Sequence, residues 1–332
     1  MQSIHCFKSS NKDFPIKGYF RANRKPKVQS IPNQNRENAV ILVTGANGQL
    51  GRRIVQHLIA RSPAPVAGKL AVSVRDPGKA ADLAARGVEV RHGNFDHPDT
   101  LANAFAGVER LVLVSTDGPR EQRIVQQRNA VSAAARAGIQ HVYYTSFLDV
   151  AADSPSEFAA IHRDTEAALA NSGLAHTLLR LPLYAEGLAM IAGLALEGGV
   201  LYLPAGNGAA SLVSRDDLAQ AIAAAALAPR LDKQVYELTG QVAADYASIA
   251  TKIARASGRS LVYKAVQETD YIAALVKHGL SIWLATALAK LFAAVAEGRM
   301  AATGNDFAAL VGHPPKSLDC LIHEHFAPRN KA

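Results

Sequence analysis

The sequence predicts an α/β fold: a doubly wound parallel sheet covered by helices on both faces, then a smaller, mainly helical C-terminal lobe. Three observations carry this. Residues 39–43, Ala-Val-Ile-Leu-Val, form a continuous apolar run of the kind found in strands buried on both faces. A glycine-rich turn follows at once, and then Ile54, Val55, Leu58 and Ile59 at helical spacing. The same strand–helix alternation repeats to residue 181 and loses its regularity from about residue 183.

Taken in order, residues 70–74 read as the second strand and 79–85 as a helix, with a short third strand over 88–90. The fourth strand covers 111–114, and a long helix over 120–137 ends at Gly138. A fifth strand over 141–144, a helix over 157–170 and a sixth strand over 177–181 complete the alternation. Ser154-Pro155-Ser156-Glu157 reads as a capping box with Pro at the first helical position. On the helix that follows, Phe158, Ile161, Thr165 and Leu169 form the inner stripe. Later, Ser214-Arg215-Asp216-Asp217 opens a helix with a similar cap, and 235–238 reads as a strand. Helices are expected over 246–256, 269–277, 282–296 and 318–326.

Composition narrows the function classes. The chain has 332 residues, 49% hydrophobic and 19% charged, enough for a sizeable core. No apolar run reaches the length of a membrane span; residues 219–228 are the longest such tract and are mostly Ala. Cys6 and Cys320 lie at opposite ends, which excludes a disulfide framework and fits a reducing, cytoplasmic setting. Of the net charge of +8, residues 1–37 supply most, with eight Lys and Arg against two acids. The body is therefore only mildly basic, and no nucleic-acid partner is expected. Residues 1–37 show no sustained period and read as a disordered basic leader. They lack the apolar core of a secretory signal; a transit peptide, an upstream start or a non-native leader all fit. His323-Glu324-His325 lacks the spacing of a zinc-binding helix, so no metal site is expected, and no G-x-S-x-G element points to a hydrolase.

The chemistry begins at Gly45-x-x-Gly48-x-x-Gly51, directly after a buried strand and before a helix. The first glycine permits the tight turn, the second lets the backbone approach a pyrophosphate, and the third lets helix and strand pack closely. Asn47, Gly48, Gln49 and Leu50 then present the helix start to the phosphates. This is a Rossmann-type dinucleotide site, and it divides the chain into a leader (1–37), an NAD(P)-binding domain (38–182), a substrate lobe (183–327) with some segments returning to the sheet, and a tail (328–332). The second strand ends Val74-Arg75-Asp76-Pro77-Gly78-Lys79. Arg75 holds the deciding position and, with Lys79, suits the 2′-phosphate of NADP; the alternative is a solvated strand-end arginine.

Further candidates sit at strand ends. Asn94 and Phe95 follow the third strand near the expected adenine edge, with Phe95 either packing on the ring or filling core. Ser115-Thr116 and Thr145-Ser146 end the fourth and fifth strands and point to the crevice, or serve as caps and turns. His162 and Glu166, four apart on a helix, either line the nicotinamide end or form a buried histidine bonded to its helix neighbour.

Together, Val43 to Gly51, the Val-Arg-Asp-Pro strand end, Tyr144-Thr145-Ser146, His162-x-x-Thr165-Glu166 and Leu178-Leu179-Arg180 resemble the NmrA-like group of atypical short-chain dehydrogenases/reductases. The resemblance runs nearest to its type 2 NAD(P)H:quinone oxidoreductase and triphenylmethane reductase branch. It continues through Ser214 to Ala219, Val235 to Gly240 and Val311-Gly312-His313-Pro314, covering about residues 39–327. It implies an NADPH-dependent reductase of a quinone or similar conjugated acceptor, with Tyr144 joining the cofactor site. The group also contains non-catalytic NADP sensors that act through a protein partner. Two departures stand out. The Tyr-x-x-x-Lys pair of ordinary short-chain dehydrogenases is absent, since Phe147 and Leu148 follow Tyr143 and Tyr144 at that spacing. Leu181 stands where quinone-reductase relatives often carry Asn. A missing acid suits a quinone, whose reduced anion takes its proton from water; it argues against a nucleotide-sugar epimerase. Tyr184 is the candidate aromatic facing the substrate, or else a core tyrosine at the lobe junction. A small-molecule partner and a monomer or homodimer are expected.

Overall fold

The computed structural model describes residues 40–61 and 69–328, so the expectations for the leader, and for the tail beyond Pro328, lie outside the described residues. The elements are β1 (Ile41–Thr44), α1 (Gln49–Arg61), β2 (Leu70–Val74), α2 (Ala81–Ala84), β3 (Glu89–His92), α3 (Asp99–Phe105), β4 (Arg110–Leu113), α4 (Arg120–Arg136), β5 (His141–Phe147), α5 (Glu157–Asn171) and β6 (Ala175–Leu181). There follow β7 (Leu183–Tyr184), α6 (Ala185–Gly198), β8 (Val200–Leu203), β9 (Ala209–Val213), α7 (Arg215–Leu227), β10 (Val235–Glu237), β11 (Ala243–Asp245), α8 (Tyr246–Ser257), β12 (Val262–Ala265), α9 (Glu268–Lys277), α10 (Ile282–Ala296), α11 (Asp306–Val311) and α12 (Leu318–Phe326).

Seven parallel strands form the main sheet in the order β10-β6-β5-β4-β1-β2-β3. The chain winds outward from β1 to β3, then resumes on the other side of β1 with β4. The crevice between the carboxyl ends of β1 and β4 is the topological switch point where such sheets take ligands. Strand alternation splits the core in two. Ile41, Val43, Val72, Val112, Tyr143 and Leu179 face α1 and α7. Leu42, Ala71, Leu111, Leu113, Val142 and Tyr144 face α3 and α4. The alanine tract noted in the sequence lies in α7, whose Ala219, Ala221, Ala223, Ala225 and Ala226 are fully buried. These small side chains let α7 pack closely along α1. The chain after residue 183 thus contributes both α7 and the edge strand β10 to the sheet. A third cluster joins α6, α8, α10 and α12 with the small sheets β11-β9-β7 and β12-β8.

Several local expectations are corrected. The helix expected over 79–85 is a 3-10 turn, Pro77–Ala80, followed by the single turn of α2. The third strand runs to His92 and the fifth to Phe147. The cap of α5 is Ser156, and the Ser154 hydroxyl instead donates to Asp149. His162 rather than Phe158 belongs to the fully buried stripe of α5. The cap at Ser214 is as expected, its hydroxyl accepting from the Asp217 amide. Helices α3, α6 and α11 and the strands β7, β8, β9, β11 and β12 have no counterpart in the sequence reading. No helix among the described residues is long and apolar enough to cross a membrane.

Candidate active site

The glycine turn is built as a cradle. Gly45 has a φ of +65°, a conformation that favours glycine. A Cβ on Gly51 would lie 2.4 Å from the Gly45 carbonyl oxygen, so only glycine allows α1 to start this close to β1. The Gly48 amide donates back to the Gly45 carbonyl at 2.9 Å. The first-turn amides of α1 have no intrahelical acceptor, as in any helix, and they open on the switch point. Asn47 is used structurally: its Nδ2 donates to the Asp76 carbonyl at 2.9 Å and ties the cradle to the end of β2. Gln49 and Gly48 remain exposed, and Leu50 turns into the core.

At the end of β2, Arg75 is exposed. The adjacent acid is engaged locally. Asp76 caps the 3-10 turn by accepting from the Gly78 amide at 3.1 Å, and Lys79 lies 3.6 Å from its other oxygen. Arg52 on α1 donates to the Lys79 carbonyl and pairs with Asp82. The edge of the cradle thus carries Arg52, Arg75 and Lys79, with Asp76 and Asp82 engaged by Lys79 and Arg52. These features fit a dinucleotide bearing a phosphate on its adenosine ribose.

Beyond β3, Asn94 shapes a turn by accepting from the Asp96 amide at 3.0 Å. Phe95 is buried among Leu42, Leu101 and Phe105, the core side of its two readings, and its carbonyl accepts from Asn129. Hydrogen bonds from Gln126 and Gln122 hold the Asp96 carboxyl below its usual range.

The floor of the crevice lies at the ends of β4 and β5. The Ser115 amide donates to Thr145 Oγ1 at 2.9 Å, which locks the two strand ends together. Thr116 Oγ1 is buried without a partner. Because Thr145 and Ser146 lie within a strand, they face opposite sides rather than converging. The Ser146 hydroxyl donates to Glu166 at 2.6 Å, and Arg180 grips the same carboxylate with two bonds. Glu166 is thereby separated from His162. The His162 ring is 6% exposed, stacks on Phe147, and places Nδ1 at 2.8 Å from the Tyr144 hydroxyl. Burial, aided by the charge of Arg123, pushes the imidazole well below its usual pKa, so it is neutral. Burial likewise pushes the Tyr144 and Tyr184 phenols up to about 12. Tyr184 is half-buried at the start of α6, with the Arg215 guanidinium 4.3 Å over its ring.

One residue of this floor escaped the sequence reading. Arg123, in the first turn of α4, is 5% exposed and donates to Ser115 Oγ at 3.0 Å. Its signal was present: Arg123, Gln127, Ala130 and Ala134 share one helical face, so a charged residue lies on the buried side. Among the described residues, no three His, Cys, Asp or Glu side chains are grouped to hold a metal.

A family model described as NAD(P)H-binding matches residues 45–229. The chain is 36% identical over 291 residues to quinone oxidoreductase 2 of Escherichia coli (strain K12), covering 88% of this chain and 100% of that protein. It superposes on an NADPH-dependent quinone oxidoreductase from Escherichia coli, solved with NADPH, with a TM-score of 0.80 at 35% identity, covering 86% of this chain and 99% of the other. Citrobacter sp. triphenylmethane reductase complexed with NADP(H) gives a TM-score of 0.79 at 31% identity, with 86% and 99% covered. The resemblance drawn from the motifs is borne out in both branches it named. With a glycine cradle at the switch point of a parallel sheet and these matches spanning most of its length, the chain belongs to the NAD(P)H-binding family, as a relative of quinone oxidoreductase 2.

Proposed function

We propose that this chain is an NADPH-dependent reductase that passes a hydride to a quinone or a similar conjugated acceptor. The observation that carries the reading is the floor of the crevice. His162 is buried and neutral, burial raises the Tyr144 and Tyr184 phenols, and Phe147 and Leu148 stand where a Tyr-x-x-x-Lys pair would carry its lysine, so the floor holds only weak proton donors. Reducing an aliphatic ketone yields a strongly basic alkoxide and calls for a positioned acid, whereas a reduced quinone is a stable anion that water can protonate. The nicotinamide, when bound, supplies the hydride. The protein residues bind and orient: the cradle from Gly45 to Leu50 takes the pyrophosphate, and Arg75 with Lys79 takes the 2′-phosphate. Asn94 shapes the adenine side, with Phe95 packed in the core behind it. Ser115, Thr116, Thr145 and Ser146 fix the strand ends on which the nicotinamide rests. Tyr144 and His162 hold the ring beneath the acceptor, and Tyr184 forms its wall. Positioning of this kind supplies a large share of the rate. The relatives' names, a quinone oxidoreductase and a triphenylmethane reductase, agree with a flat conjugated acceptor. We place the activity in the cytoplasm, in a monomer or homodimer, with no nucleic-acid partner.

The test is NADPH oxidation by the purified chain with 1,4-naphthoquinone and with cyclohexanone. Turnover of the quinone alone is expected. Equal turnover of the ketone would overturn the reading.

A further inference from the structure

Arg123 is an unusual residue to bury. It is 5% exposed, and no carboxylate lies within ion-pair distance of it among the described residues. Its Nη2 donates to Ser115 Oγ, and its Nε is buried without any partner. The guanidinium lies 5.5 Å from the centroid of the Phe158 ring, which covers it from α5. Asp117, Tyr144 and Tyr184 act on its charge only through space, and burial lowers its pKa. A buried cation without a counter-ion is costly, and an arginine stays charged nonetheless. One residue beyond Ser115, Thr116 Oγ1 is a second buried polar atom without a partner. Through the Arg123–Ser115 bond and the neighbouring Thr116, two incompletely satisfied polar groups belong to the segment just beyond the carboxyl end of β4. The half-buried arginine of this region, Arg180, is by contrast matched by two hydrogen bonds to Glu166.

We infer that Arg123 is the anion-recognising residue of the acceptor site: its guanidinium takes up the negative charge that forms on the oxygen of a quinone-type acceptor. This rests on the proposed reductase function. The acceptor gains a hydride, with both electrons of the C–H bond broken in NADPH, and NADP+ remains. A neutral quinone thereby becomes a hydroquinone monoanion, and water supplies the last proton. The charge that appears in this step matches the charge Arg123 lacks. A planar guanidinium covered by Phe158 also suits a planar ring with oxygen at its edge.

The test separates charge from shape. The probes are 2-hydroxy-1,4-naphthoquinone, an anion at neutral pH, and neutral 1,4-naphthoquinone. Each is titrated into the full chain loaded with NADP+, as wild type, Arg123→Met and Arg123→Lys. Arg123→Met is expected to weaken binding of the anion about ten- to a hundredfold. Binding of the neutral quinone and of NADP+ is expected to stay within about threefold. Arg123→Lys keeps the charge and is expected to keep the preference for the anion, and it decides the matter if the Met variant does not fold. An unchanged preference in Arg123→Met, a lost preference in Arg123→Lys, or an equal loss of NADP+ binding overturns the inference. Quinone turnover by the wild type is read separately. A wild type that discriminates the anion but reduces no quinone contradicts the reductase reading and leaves the anion site standing.

Discussion

The Tyr144 hydroxyl lies 2.8 Å from Nδ1 of His162, and both residues are buried beneath the carboxyl ends of β4 and β5. Neither is charged at neutral pH, since burial raises the phenol and lowers the imidazole. A phenol raised in this way stays protonated but is only weakly acidic, which suits a supporting rather than a proton-donating role.

His162→Ala is expected to reduce stability by about 1 kcal/mol, because the Tyr144 hydroxyl loses one partner while Thr165 and Ser115 remain beside it. The helix itself tolerates Ala. Urea unfolding of the variant and wild type reads this directly.

Acid should destabilise the fold in a defined window. His141 is pushed down to about 4 by burial, with help from Arg110 and His176, and His162 is also depressed. The unfolded chain then binds protons that the folded chain refuses. The stability contributed by these neutral imidazoles is complete above about pH 6.5 and is lost as pH falls toward 4, on the order of 3 kcal/mol for His141. Melting temperature measured from pH 7.5 to 4 should fall steeply below 6.5, and His141→Gln should flatten that slope.

Arg75→Asp should weaken NADPH binding about a hundredfold and barely alter NADH binding, because it replaces a phosphate partner with a repelling charge. Titration with both cofactors measures the contrast. Equal losses would remove Arg75 from the 2′-phosphate site.

Glu166→Ala leaves Arg180 without its bidentate partner and Ser146 without an acceptor. Both lie half-buried or deeper, so a loss of about 3 kcal/mol is expected, measured by chemical unfolding. The cofactor affinity of the folded fraction should be retained.

The sheet was legible because its strands are buried on both faces and read as unbroken apolar runs, and because the Gly45-to-Gly51 turn has no substitute. The strand after Gln140 was cut short at Tyr144 because Thr145 and Ser146 look like a polar end. In the structure their hydroxyls find partners inside, on the Ser115 amide and on Glu166, so β5 continues to Phe147. Helix α6 falls in the stretch after residue 183 whose pattern is less regular, and it carries Gly187 and Gly193 in its interior, residues that weaken a helical pattern. A Cβ at each of these glycines would meet nothing, so local crowding does not require them. Arg123 shares the buried face of α4 in the sequence, but a charged residue in a first helical turn is ordinarily solvated, and its cover by Phe158 comes from the tertiary fold. Pairings such as Tyr144 with His162, eighteen positions apart, depend on the crossing of β5 and α5, which periodicity cannot supply.

The most direct measurement is turnover of 1,4-naphthoquinone with NADPH by the wild type and by His162→Ala, corrected for the folded fraction. The expected result is quinone-dependent NADPH oxidation by the wild type, lowered roughly ten- to a hundredfold in the variant through lost positioning, and short of the 10⁴-fold upper end of a general-acid contribution. No quinone turnover by the wild type, or a loss of about 10⁴-fold in the variant, contradicts a reductase that works without a protein acid.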